Sequence, residues 1–236
     1  MCDDDNFPSY LKYNGAGAPN GYDHVVIWMV EDFSAVAETR TCYYFEDGYK
    51  QPLITQTALN PDLTVIYSDR EGYVLQREKH INNLIHELAH GFGFTRHDMR
   101  QNWIDWSRSS SNPLRYLNPL QYFTSNNGQT YETLTSPNIV QYLRSFHGCT
   151  SITGLRMDND GDGSSHPDAN FYPLETTVSG QKFGLRITNV TLAALSDSGW
   201  WDVDFNYAEP NFFGKGSTCN FISNTVIENN QDYDDW

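Results

Sequence analysis

Asn82-Asn83-Leu84-Ile85-His86-Glu87-Leu88-Ala89-His90-Gly91-Phe92-Gly93-Phe94 sets two histidines four residues apart with a glutamate directly after the first. A helix turns about 100° per residue, so residues four apart stack on one face, one turn apart. The imidazoles of His86 and His90 can therefore serve one ion from a single rigid element, with Glu87 beside them, the H-E-x-x-H signature of zinc hydrolases. Ile81, Leu84, Ile85, Leu88 and Phe92 follow helical spacing and predict a core helix with a site on one edge. That helix is expected from about Tyr73 to Gly91, approached through Arg70-Glu71-Gly72, with Gly93 permitting a sharp exit.

Three protein ligands are the rule at a catalytic zinc, and this helix supplies two. In the compact H-E-x-x-H-x-x-G-x-x-H pattern the third falls at position 96, which is Arg96, with His97 one residue late. His166 ends a Gly- and Asp-rich loop that begins at Met157 and can bring backbone close to a metal. Within that loop Asp158, Asp160, Asp162 and Gly163 are spaced like the first half of an EF-hand, which raises calcium as a second ion. Ala169 stands where the twelfth-position glutamate belongs, so a full EF-hand is excluded and the loop reads as a turn delivering His166.

The 236 residues show no internal repeat and read as one domain. A formal charge of −15 argues against nucleic acid as a partner. Part of that charge sits in Asp3-Asp4-Asp5 and in Asp232, Asp234 and Asp235. No apolar run approaches the roughly 20 residues of a membrane span, and the start has no basic-then-apolar signal segment. Cys2, Cys42, Cys149 and Cys219 form no C-x-x-C pair, which argues against a cysteine zinc site and is compatible with two disulfides in any of three pairings.

The expected fold is α+β. Residues 1–23 read as loop, and His24 to Val30 as a strand apolar on both faces. Cys42 to Phe45, Leu53 to Thr55 and Leu63 to Tyr67 are further β-prone pieces, giving an N-terminal mixed sheet ahead of the active-site helix. Thr95 to Leu134 shows no sustained period and reads as an irregular insertion opening an irregular C-terminal lobe. Helical pattern returns at Ser136 to Phe146, where Ser136 suits a cap, Pro137 suits the first turn, and Ile139, Val140, Leu143 and Phe146 form the apolar stripe before a stop at Gly148. A last helix is expected over Asn189 to Ser198, burying Leu192 and Leu195, followed by coil from Trp200 to Trp236.

Taken in order, several segments resemble the catalytic region of the leishmanolysin family of zinc metallopeptidases, in the metzincin group. They are the helix with its Gly91-Phe92-Gly93-Phe94 exit, Phe146-His147-Gly148-Cys149 running through Gly154-Leu155-Arg156-Met157-Asp158 to Ser165-His166, Leu195 to Asp204, and Phe213 to Phe221. Thr41-Cys42 and the Pro52 to Pro61 stretch fit as well. The resemblance implies a metzincin-like zincin domain over 1–236, with an N-lobe of about 1–94, a C-lobe of about 95–236 and a cleft between them. It implies one zinc ion on His86, His90 and His166, with His97 unligated, and Glu87 as general base of a zinc endopeptidase acting on proteins or peptides. It further implies an extracellular or cell-surface location and disulfides Cys2–Cys42 and Cys149–Cys219. Two departures stand out. Family members carry a signal, a pro-segment and further domains, whereas this chain opens on Met1-Cys2; and the position of the metzincin turn methionine falls at or near Thr177. The second departure keeps open an alternative, a catalytically weak or inactive module retaining the peptidase surface for binding.

Overall fold

The computed structural model describes residues 25–30, 37–45, 49–60, 70–105, 114–115, 119–124, 128, 130–158, 165–177 and 184–219. They belong to two compact units, one reaching Thr95 and the other starting at Arg96. The expected loop over 1–23, the strand Leu63 to Tyr67 and the calcium-loop residues Asp160 and Asp162 lie outside the described residues.

In the first unit, β1 (Val25–Val30), β2 (Ala37–Tyr44) and β3 (Pro52–Leu59) form a sheet of order β1-β3-β2. β1 runs parallel to β3 and β2 antiparallel to it, so the sheet is mixed, as its apolar and β-branched pieces predict. Being central, β3 is buried along almost its whole length, polar Thr55, Gln56 and Thr57 included. The register sets Thr39 against Thr57, whose hydroxyls lie 2.7 Å apart, so one polar pair is satisfied within the sheet. Helix α1 (Arg70–Gly91) packs on β2 and β3.

The face that α1 buries is not the expected one. Asn82, Asn83, His86, Glu87, Ala89 and Gly91 are buried, whereas Leu84, Ile85, Leu88 and Phe92 are half-buried and Ile81 is exposed. The reason lies in the sheet. Asn83, Glu87 and Gly91 succeed one another at four-residue steps; Glu87 hydrogen-bonds Thr39 of β2, and a Cβ added at Gly91 would stand 3.0 Å from the Thr55 hydroxyl of β3. Small and polar side chains thus form the seam, and the larger apolar ones flank it.

In the second unit, the region expected to be irregular carries regular elements. Helix α2 (Arg96–Gln101), β4 (Ile104–Asp105), β5 (Leu114–Arg115), β6 (Leu120–Thr124) and β7 (Thr130–Leu134) all fall within Thr95 to Leu134. β6, β7 and β8 (Leu155–Arg156) make an antiparallel sheet. Short strands with one solvated face show little apolar period, because Tyr122, Thr124 and Thr130 point outward while Leu120, Glu132, Thr133 and Leu134 are buried.

Helix α3 (Pro137–His147) matches its expected limits: Pro137 opens it, and Gly148 ends it at φ 70°, a left-handed conformation that glycine adopts without strain. Ser136 occupies the N-cap position, yet its side chain accepts no first-turn amide. The carboxylate of Asp197 does so instead, accepting Asn138 N–H and Ile139 N–H, each at 3.0 Å. Asp197 closes α4 (Asn189–Asp197), which packs on α3. α4 buries Val190, Thr191, Ala193, Ala194 and Asp197, while the expected Leu192 and Leu195 are only half-buried, since small side chains fill the helix contact and the leucines border it. Its N-terminus is held by fully buried Glu175, which accepts from the amides of Thr188 (3.2 Å) and Thr191 (3.3 Å) and from both their hydroxyls. After α4 the described chain is turns and a single 3-10 turn at Phe205–Tyr207. Cys149 is bonded to Cys219, Cα to Cα 4.9 Å. Cys42 is also disulfide-bonded, and its expected partner Cys2 lies outside the described residues.

Candidate metal centre

His86 and His90 leave the last two turns of α1 so that their Nε2 atoms stand 3.1 Å apart, with the rings edge-on at a centroid distance of 4.5 Å. His90 Nδ1 lies 2.8 Å from the carbonyl oxygen of Phe94. A carbonyl can only accept, so Nδ1 carries the proton and Nε2 presents its lone pair. Two nitrogens bound at about 2.0–2.1 Å to one tetrahedral zinc stand about 3.3 Å apart. The separation of the two Nε2 atoms is close to that value, and the carbonyl contact to the second nitrogen is the support metal-bound imidazoles usually have. The donor set of the helix therefore fits zinc.

Glu87 is 5% exposed. Burial pushes its carboxyl up to about 7, hydrogen bonds from the Thr39 hydroxyl and backbone work against that rise, and the charge of Glu38 adds to it. A carboxyl that titrates near neutrality both accepts and returns a proton readily. Thr39 could not be found by reading the sequence, since 48 positions separate it from Glu87 and only the sheet register joins them. Phe94 as the orienting carbonyl was equally hidden, because any residue supplies the same oxygen.

His166 belongs to the second unit, at the closing end of the Gly- and Asp-rich loop. The loop base is tightly fixed: Asp158 N–H donates to the His166 carbonyl at 2.8 Å, Met157 bridges Pro167, and Asp168 N–H donates to the Arg156 carbonyl at 2.9 Å. Arg156 also pairs with the Asp168 carboxylate at 2.9 Å, and its guanidinium lies over the rings of Tyr131 and Phe171, at 4.6 and 5.1 Å from their centroids. Gly154 begins this hairpin with its backbone against the Leu134 carbonyl, where an added Cβ would come within 2.2 Å, so no other residue fits. The histidine is half-buried, as is His90. His97 is an exposed residue of α2, and Asp158, the described member of the calcium spacing, gives its backbone amide to the loop closure. Thr177, at or near which the turn methionine is expected, is fully buried.

An H-E-x-x-H helix laid on a mixed sheet in an α+β chain is the arrangement of a metallopeptidase. The leishmanolysin family model matches residues 2–236, and the chain belongs to that family. It is similar to the ciliated left-right organizer metallopeptidase of Danio rerio, at 26% identity over 242 residues, covering 94% of this chain and 36% of that protein. It is similar also to leishmanolysin of Leishmania amazonensis, at 25% identity over 203 residues, with 83% and 29% covered. A leishmanolysin-like peptidase of Drosophila melanogaster is 25% identical over 93 residues, 38% of this chain. The chain thus spans 36% and 29% of the length of the first two relatives. Among the described residues no helix is long and apolar enough to cross a membrane.

Proposed function

We propose that residues 1–236 form one leishmanolysin-type, metzincin-like catalytic domain of a zinc endopeptidase, with His86, His90 and His166 as ligands and Glu87 as general base. The observation that carries the reading is the pair of Nε2 atoms 3.1 Å apart on a helix whose intervening glutamate is buried. His166, at the closing end of the Gly- and Asp-rich loop, is the third ligand of this reading. A zinc ion on these nitrogens would polarise the scissile carbonyl and acidify water.

Every other step belongs to the side chains. Glu87 accepts a proton from the attacking water and passes it to the departing amine, so one carboxyl serves as base and then acid and no covalent enzyme intermediate forms. The Phe94 carbonyl holds His90 in the tautomer that can ligate, and Thr39 holds the Glu87 carboxyl in place. Substrates are proteins or peptides, and the site of action is the cell surface or beyond, where the Cys149–Cys219 disulfide persists.

The test compares wild type with Glu87→Ala for zinc content and for cleavage of a denatured protein. Zinc near one equivalent in both, with turnover reduced by about 10²–10⁴-fold in the variant, is expected. Wild-type turnover in Glu87→Ala defeats the base assignment. Zinc without turnover in either protein favours the inactive binding module.

A further inference from the structure

The five residues that follow α1, Phe92 to Arg96, make two contacts bearing on the ligands. The Phe94 carbonyl accepts from His90 Nδ1. Two residues later, the Arg96 amide donates to the Ser165 hydroxyl at 2.9 Å. Arg96 is the first residue of α2, where a helix has amides with no carbonyl of its own to meet. Ser165 takes one of them across 69 positions of sequence and is bonded covalently to His166.

The base of the His166 loop is already fixed by the amides of Asp158 and Asp168, which donate to the carbonyls of His166 and Arg156. Those bonds hold Arg156 to Asp158 against His166 to Asp168. Ser165 directly precedes the histidine, and its hydroxyl joins the loop to the first residue of α2. Arg96 is itself immobilised: its side chain pairs with the buried Glu132 of β7 at 3.0 Å, and Arg100, one turn on, reaches the same carboxylate. The donor that Ser165 meets is therefore part of a braced helix start.

We propose that Ser165 is a positioning residue for His166, fixing the imidazole through the Arg96 amide so that the third ligand is preorganised before the metal arrives. The inference rests on the three-histidine reading given above. Its chemistry is that of the partners that orient metal ligands, whose removal costs about 10–100-fold in metal affinity. The hydroxyl accepts here, so threonine retains the function and alanine abolishes it.

The experiment measures zinc affinity of the metal-free protein by competition with a chromophoric chelator, for wild type, Ser165→Ala, Ser165→Thr and His166→Ala. Circular dichroism establishes that each is folded, and the visible spectrum of the cobalt-substituted protein reports ligand geometry. Ser165→Ala is expected to bind zinc about tenfold more weakly with an altered cobalt spectrum, and Ser165→Thr to return both toward wild type. His166→Ala should lose more affinity than either. Unchanged affinity and spectrum in Ser165→Ala, beside a clear loss in His166→Ala, overturns the role of Ser165 alone. Unchanged affinity in His166→Ala overturns the three-histidine reading and this inference with it. Should Ser165→Ala not fold, the spectrum of Ser165→Thr decides: a wild-type spectrum supports the role, and an altered one overturns it.

Discussion

Helices α1 and α3 obey opposite rules. Of its expected apolar stripe α3 encloses Ile139 and Leu143 fully and Val140 and Phe146 by half, and it exposes Asn138 and Gln141. α1 buries Asn82, Asn83, His86 and Glu87 and leaves Leu84, Ile85 and Leu88 half-covered. Apolar transfer stabilises α3 directly, at about 25 cal/mol per Å² of surface removed from water. For α1 the same term is diluted, and each buried polar group must find a partner. A helix that breaks its own hydrophobic pattern is locally inconsistent with the fold, and such breaks fall where a site is being built. In this chain the break coincides with the H-E-x-x-H residues.

The largest stability effect expected from the contrast is in the core of α3. Leu143→Ala removes a fully buried side chain and should cost about 2–5 kcal/mol, the range for cavities left by leucine. Leu84→Ala in α1 should cost about 1 kcal/mol, because its side chain is half in water already. Urea denaturation of both variants measures this. Equal losses would mean that α1 is held by its apolar flank after all, and the contrast would collapse.

What could be read in advance follows the same division. The limits of α3 were legible because Pro137 and Gly148 act locally, through a fixed φ and a left-handed turn. The last turns of α1 and the strands β1 and β3 were legible because their residue types and spacing are local signals too. The segment Thr95 to Leu134 was not. Its two-residue strands carry no period, and Glu132 is buried only because Arg96 and Arg100, some 30 positions earlier, meet it. At the candidate site, His86, Glu87 and His90 announced themselves by spacing, whereas Thr39, the Phe94 carbonyl and Ser165 act through pairings made by the fold. The buried face of α1 was misjudged for a related reason: helical periodicity counts apolar residues, and here the sheet presents threonines to a seam of small and polar ones.

A middle-sized effect concerns how α3 begins. The serine at its N-cap is not the group that satisfies the first-turn amides, and Asp197 is. Asp197→Ala should therefore cost about 1–2 kcal/mol, as loss of a capping side chain does. α1 gives the control, since the Asp197 carboxylate is engaged at the amides of Asn138 and Ile139, so zinc affinity should stay at the wild-type value while the urea midpoint falls. A variant as stable as wild type would return the capping role to Ser136, the residue whose position in sequence suggested it.

The smallest effect is the acid sensitivity of the far end of α3. His147 is 1% exposed; its Nδ1 donates to the Gly214 carbonyl at 2.8 Å, and the Thr218 amide donates to its own carbonyl, also at 2.8 Å, beside the Cys149–Cys219 bond. Burial pushes its imidazole pKa below the usual 6.5, with the Gly214 hydrogen bond opposing the shift. The unfolded chain then binds a proton before the folded one does, so stability is fully present above the unfolded value, about 6.5, and declines as pH falls from there toward the folded value. Asparagine can offer an N–H to the same carbonyl and does not titrate. The difference in unfolding free energy between wild type and His147→Asn should therefore shrink from pH 7.5 to pH 5.5, a comparison in which contributions from groups shared by the two proteins cancel. A constant difference across that interval would show that the proton enters His147 without disturbing the closure of α3.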